Sequence, residues 1–188
     1  MIPIHFIRKT FKYTFFPLLS IVVLWESYFL LYGNFHKVDK DVYRSAQLFS
    51  HNLPYYIEKH KIKSILNLRK VRKAKNKSWY LDEVSIAKEL DVVRYDYPIG
   101  DREDASMEEM DKIVQIIKDA PKPLLIHCKA GADRTSLASA LYLHALKHED
   151  DAEREISIVY GHFPWLGSKT VAMDRSFKKY KKEKKNVK

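Results

Sequence analysis

The sequence has a single cysteine, Cys128, and only 5 glycines and 7 prolines in 188 residues. One cysteine excludes an intramolecular disulfide, so cysteine usage leaves the redox compartment open. With 46% hydrophobic and 13% aromatic residues, the scarcity of glycine and proline excludes a low-complexity chain. The length suits one folded domain with a real core and an added segment. No internal repeat is present, and the only biased stretch is the lysine-rich end, KKYKKEKKNVK. Acidic residues are in the minority, 24 against 34 Lys and Arg, and the resulting net charge of +10 favours an anionic partner. A phosphate ester, a nucleic acid or a membrane surface would each satisfy that charge.

Between Tyr13 and Gly33 the run YTFFPLLSIVVLWESYFLLYG is nearly all apolar. It matches the length of a helix crossing a bilayer core of about 30 Å. Tyr13, Tyr28 and Tyr32 suit the interfacial zones, and no A-x-A-like site follows that would mark a cleaved signal peptide. Glu26 is the one residue at odds with a lipid setting. The run is therefore expected to be a single transmembrane anchor. Arg8, Lys9 and Lys12 before it favour a domain on the non-cytoplasmic, periplasmic side, although Lys37, Lys40 and Arg44 after it weaken the asymmetry. A membrane partner argues against nucleic acid as the anion. The expected division is a basic flank (1–12), the anchor (13–33), a polar linker (34–41), a folded domain (42–182) and a lysine-rich tail (183–188).

Beyond residue 42, apolar runs alternate with amphipathic stretches. Helices are predicted over 52–60, 79–90, 106–119, 135–146, 151–160 and 170–182, and strands over 64–68, 91–99 and 124–127. The helix at 106–119 opens on a capping box, Ser106 with Glu109. Strands alternating with helices predict an α/β domain, a mainly parallel sheet with helices on both faces.

HCKAGADRTS, His127 to Ser136, lies where the apolar strand LLIH passes into a helix. In open α/β sheets ligands bind beyond the carboxyl ends of strands. Backbone N–H groups at a helix start lack intrahelical partners, and the helix dipole adds positive charge, so such a turn cradles anions. Ala130, Gly131 and Ala132 are small enough for the backbone to wrap a phosphate, and Lys129 adds charge at the rim. A thiolate, the nucleophilic form, is favoured at a helix N-terminus beside cations, which is the setting of Cys128. Arg134 can offer two parallel N–H bonds to a phosphoryl group, and Thr135 can donate a hydrogen bond to the departing sulfur. Buried, inert cysteines are the common case, but a thiol followed by a small-residue loop, Arg and Thr points to chemistry.

This stretch resembles the phosphate-binding loop of the cysteine-based protein tyrosine phosphatase superfamily: His-Cys, five residues, Arg, then Ser or Thr. The resemblance extends over roughly 42–177, where VYRSAQ (Val42 to Gln47) and ILNLR (Ile65 to Arg69) look like the first strands of compact dual-specificity members. It implies phosphomonoester hydrolysis through a cysteinyl-phosphate intermediate, with no metal or other cofactor. Cys128 would be the nucleophile and Arg134 the phosphate binder, with residues 129–134 wrapping the phosphate. Thr135 would assist the leaving thiolate, and His127 would tune the thiol.

The mechanism needs a carboxylic acid to protonate the leaving oxygen. YDYPIGDRED offers Asp96, Asp101, Glu103 and Asp104, without the Trp-Pro-Asp of larger tyrosine phosphatases. Asp101, after Pro98 and Gly100, is the first candidate; Asp104 is the alternative, although it also suits the charge at a helix start. Asp133 is expected to have a structural role or a contact at the rim. Lys70 to Lys77 forms a basic loop that would either steer substrate or merely be solvated, and GHFPWLG (Gly161 to Gly167) is expected to pack near the pocket. Substrates expected from the resemblance are phosphorylated proteins, with a phospholipid headgroup or lipid A phosphate as the alternative; HCKAG resembles the start of the loop in lipid-directed members. An inactive phosphate-binding module is the rival from another class, but it predicts a lost Cys, Arg or acid.

Overall fold

Three tetrapeptides have no solvent-facing residue at all: VYRS, SILN and LLIH are buried along their whole length. Such strands must lie inside a sheet covered on both faces, which is the parallel α/β arrangement. In the computed structural model, which describes residues 4–70 and 77–185, they form that interior. The elements in chain order are α1 (Ile4–Tyr32), β1 (His36–Lys37), β2 (Val42–Ser45), α2 (Leu53–His60), β3 (Ser64–Asn67), α3 (Ser78–Glu89), β4 (Val93–Asp96), α4 (Met107–Asp119), β5 (Leu124–His127), α5 (Arg134–Leu146) and α6 (Ala172–Lys185). The sheet order is β1-β2-β5-β3-β4; β1 pairs antiparallel with β2 and every other pair is parallel. The sheet is thus mixed, with β5 at its centre.

Alternation along β5 divides the core. Leu124 and Ile126 join Val42, Leu66, Met110, Ile113, Leu137 and Phe177 on the face covered by α4, α5 and α6. Leu125 joins Tyr43, Ile65, Leu53 and Ile57 on the opposite face, under α2. The same alternation turns His127 toward the face where α3 lies, while Cys128 belongs to the first cluster. Register aligns the carboxyl ends: His127 is opposite both Ser45 and Asn67, and Asn67 is opposite Asp96. Cys128 therefore begins its loop at the edge where α/β sheets bind ligands.

Local chemistry sets the helix ends. The Ser106 hydroxyl accepts from the Glu109 N–H while the Glu109 carboxylate accepts from the Ser106 N–H, which completes the capping box at α4. The helix expected over 151–160 is instead two 3-10 turns, Ala152–Glu155 and Ile158–Tyr160. They cannot run together because Ile156 leaves the helical region and Ser157 is extended.

The transmembrane expectation is overturned, and with it the anchored, periplasmic placement of the domain. Among the described residues no helix is long and apolar enough to cross a membrane. Although α1 has 29 residues, Pro17 and the charged Glu26 interrupt its apolar sequence, and a carboxylate in the lipid interior is costly. Its carboxyl end is also built into the domain. The Tyr56 hydroxyl donates to the Tyr32 carbonyl, and the Ala46 N–H donates to the carbonyl of Gly33 just beyond the helix. Apolar side chains nearer its start, Phe16, Leu18, Ile21 and Leu24 among them, stand exposed. Most of the basic loop expected at Lys70 to Lys77 and the last residues of the lysine-rich tail lie outside the described residues.

Candidate active site

The loop from Cys128 to Asp133 joins β5 to α5, whose first residue is Arg134. Gly131 sits at its bend with φ +71, and a Cβ there would meet the Ala46 nitrogen at 2.6 Å and the Ser45 carbonyl carbon at 2.7 Å. Both are backbone atoms of the neighbouring strand end, so neither can yield. Glycine is required on conformational and on steric grounds.

A buried arginine holds the loop from below. Arg44 of β2 is 0% exposed; one guanidinium nitrogen donates to the Gly131 carbonyl (2.9 Å) and to the Ser136 hydroxyl (2.7 Å). Its other terminal nitrogen donates to the Glu155 carboxylate (2.6 Å) and the Glu155 carbonyl (2.9 Å), and Tyr160 lies flat against it at 3.7 Å. Burial pushes the Arg44 guanidinium below its ordinary value, and the Glu155 carboxylate opposes that push. From the side, fully buried Asn34 donates to the carbonyls of Ala130 (3.0 Å) and Tyr160 (2.9 Å). Two loop carbonyls are therefore turned toward the protein by dedicated donors.

Arg134 is 8% exposed and donates to the Leu68 carbonyl at 3.1 Å, which fixes its guanidinium over the end of β3. Its Nη2 lies 3.9 Å from the Asp101 carboxylate. Its Nε, like the Thr135 hydroxyl, is buried with no partner among the described residues. Arg44 Nε, His127 Nε2 and the Ser139 hydroxyl are buried without a hydrogen-bond partner as well; Arg134 and Thr135 are the two that stand at the first turn of α5, where the loop ends. Asp101 is half exposed on the loop after β4, within reach of that place. Asp104 is held elsewhere, paired with Arg175 of α6 at 2.7 Å. Asp96 is committed as well, accepting from Asn67 (2.9 Å) and Tyr80 (2.8 Å), and Glu103 pairs with Lys70 (3.2 Å).

Behind the cysteine, His127 Nε2 lies 3.2 Å from the Glu83 carboxylate of α3, and both side chains are 2% exposed. Burial raises the Glu83 carboxyl, but His127 beside it, the Arg94 guanidinium and the Gln47 amide outweigh that and hold it at about 2. A permanent negative charge thus sits behind the loop's histidine. On the far side, His162 bridges Asp133 (2.7 Å) and Asp174 (2.9 Å). Burial works against its charge, yet the two carboxylates win and raise it above 6.5. Asp133 is held by His162 of GHFPWLG, so that segment contributes a named clamp rather than general packing.

Arg44, Glu155, Glu83, Asn34 and His162 were missed in the sequence. VYRSAQ carried the one available signal, an arginine inside a strand. His162 lies in GHFPWLG, which was read only as packing, and the other three come from segments with no motif.

The thiol, the backbone loop and the buried arginine over it make the protein a cysteine-dependent phosphatase of the compact tyrosine and dual-specificity type. More narrowly, the chain belongs to the family described as DSP-PTPase phosphatase fused to NAD+ kinase, whose model matches residues 29–183. Solved structures share the fold at low identity. Tk-PTP is 17% identical over 78% of this chain and 96% of its own, with a TM-score of 0.59. TpbA of P. aeruginosa is 18% identical over 78% and 84%, with a TM-score of 0.60. PTPMT1 is 15% identical over 79% and 97%, with a TM-score of 0.54. No curated protein sequence matches the chain significantly.

Two outcomes are expected. Gly131→Ala should lower kcat/KM by at least about 100-fold, because ångström-scale misplacement of a site costs that much; near-normal turnover would refute the close-approach argument. His162→Gln should destabilise the protein most in acid. A raised histidine contributes stability below its ordinary value and loses it as pH rises through the raised value. Thermal unfolding should therefore show a larger deficit at about pH 5.5 than at about pH 9, and the reverse order would contradict the clamp.

Proposed function

We propose that the protein hydrolyses phosphate monoesters on proteins, phosphotyrosine and phosphoserine or phosphothreonine, by way of a cysteinyl-phosphate. The observation that carries this reading is the pair of buried, unpartnered groups at the first turn of α5, Arg134 Nε and Thr135 Oγ1, which close a small-residue loop that opens on buried Cys128. A phosphoryl group lodged against residues 129–134 would satisfy Arg134 bidentately and face the loop N–H groups and the positive end of α5.

In the first step the Cys128 sulfur attacks phosphorus and the ester P–O bond breaks. Asp101 gives its proton to the departing oxygen. In the second, water attacks the cysteinyl-phosphate, Asp101 takes the water's proton, and phosphate leaves. The Thr135 hydroxyl donates to the thiolate as the P–S bond breaks, and Arg134 follows the phosphoryl charge through both steps. His127, with Glu83 behind it, orients the start of the loop, and Lys129 draws anions to the rim. The first choice of acid rests on position: Asp101 faces Arg134, while Asp104 is occupied by Arg175.

TpbA has been solved with phosphotyrosine, which supports a protein substrate. PTPMT1 has been solved with PI(5)P, so a phospholipid headgroup is the second reading. Assays on phosphopeptides and on phosphoinositide micelles separate the two.

Cys128→Ser should abolish hydrolysis of an aryl phosphate, and the wild type should work in the presence of a chelator. Asp101→Asn should lower kcat for a poor leaving group by about 100-fold or more, whereas Asp104→Asn should change it little. Loss confined to the Asp104 variant would reassign the acid.

A further inference from the structure

Beside the phosphate loop lies a groove of about 430 Å³, walled by Phe29, Phe49 and Trp79 and reaching Lys129 and Ala130. Phe29 comes from α1, so this wall is supplied by the N-terminal helix rather than by the sheet and its covering helices. Gln47 and Arg69 line the same groove. Arg69 lies flat on the Trp79 ring at 3.4 Å and donates one guanidinium nitrogen to Gln47 at 2.8 Å. No carboxylate lines the groove, and among the described residues neither Arg69 nor Lys129 has an ion-pair partner. Burial and the nearby Arg134 charge push the Arg69 guanidinium down, with the Cys128 sulfur and Glu83 opposing, which places Arg69 in the field of the reaction centre.

We infer that this groove is the leaving-group subsite and that it selects a phosphotyrosyl peptide carrying an acidic residue next to the phosphotyrosine. This rests on the phosphatase reading above and names the substrate's second half. The aromatic walls fit one flat ring, which stacks with a gain beyond its buried area. The volume is at the small end of ligand sites, suited to one side chain rather than to paired acyl chains. Arg69 is pre-positioned by Trp79 with donors to spare, and a planar guanidinium fork matches a carboxylate. Arg69 and Lys129 would thus read a carboxylate just outside the ring, while Phe29 and Phe49 close over the ring itself. The N-terminal helix then acts in substrate choice through Phe29.

The test uses the full chain and compares kcat/KM for four substrates. They are p-nitrophenyl phosphate, a phosphotyrosyl peptide flanked by glutamates, the same peptide flanked by glutamines, and phosphoinositide micelles. The acidic peptide should exceed the neutral one by about tenfold, through KM. That preference should collapse at about 1 M salt, which screens charges beyond about 3 Å. Arg69→Gln should erase the preference, and Phe29→Ala should lower turnover of both peptides and of p-nitrophenyl phosphate, which all present an aryl ring, by about tenfold relative to the phosphoinositide micelles. The salt series needs no variant, so a misfolded mutant does not decide the outcome. An equal rate on both peptides, a preference that survives Arg69→Gln, or faster turnover of the micelles would overturn the subsite while leaving the phosphatase intact. Failure to hydrolyse p-nitrophenyl phosphate in a Cys128-dependent way would remove both readings together.

Discussion

The whole site depends on one charge kept out of water. Arg44 is fully buried beneath the phosphate loop and has five contacts there: two with Glu155, one with Gly131, one with Ser136 and one with the Tyr160 ring. Removing one partner of a buried ion pair costs about 3–5 kcal/mol because the other charge is left stranded. The arrangement is therefore all or nothing, and its product is a loop of fixed shape. With the Gly131 and Ala130 carbonyls held by Arg44 and Asn34, the loop backbone cannot turn those oxygens toward an incoming anion. Glu155 supplies the counter-charge from the 3-10 turn Ala152–Glu155.

Two further charged groups brace the same loop from opposite sides of the sheet. Glu83 reaches His127 from α3, and His162 links Asp133 to Asp174 on α6. The parity of β5 makes this possible: His127 faces one layer, and the loop then turns toward the other. Helices on both faces thus contribute to one site, as expected at the carboxyl edge of an α/β sheet. Arg134 completes the frame by resting on the Leu68 carbonyl at the end of β3.

Much of this was legible in the residues. LLIH, SILN and the capping box at Ser106 carry strong local patterns, and their strands and helix appear within a residue or two of expectation. The loop was legible because its chemistry is packed into ten consecutive residues. Its supports were not, since Arg44, Glu83, Asn34 and His162 reach it across the chain and no periodicity encodes a long-range hydrogen bond. The N-terminal run misled for a different reason. Its apolar content resembles a membrane span, but Pro17 and Glu26 interrupt it, and the chain at and just beyond its carboxyl end is bonded into the domain through Tyr32 and Gly33. Composition cannot distinguish an apolar helix that docks on a protein from one that crosses lipid.

The central claim is that a buried, sulfur-based nucleophile at the carboxyl end of β5 takes the phosphoryl group before water does. Acid quenching during turnover of an aryl phosphate, followed by mass spectrometry of the digested protein, tests it directly. The account predicts one added phosphoryl group on the Cys128 peptide, more abundant when the second step is slowed by Asp101→Asn. Full turnover with no adduct on Cys128, or with the adduct on a hydroxyl elsewhere, would contradict it.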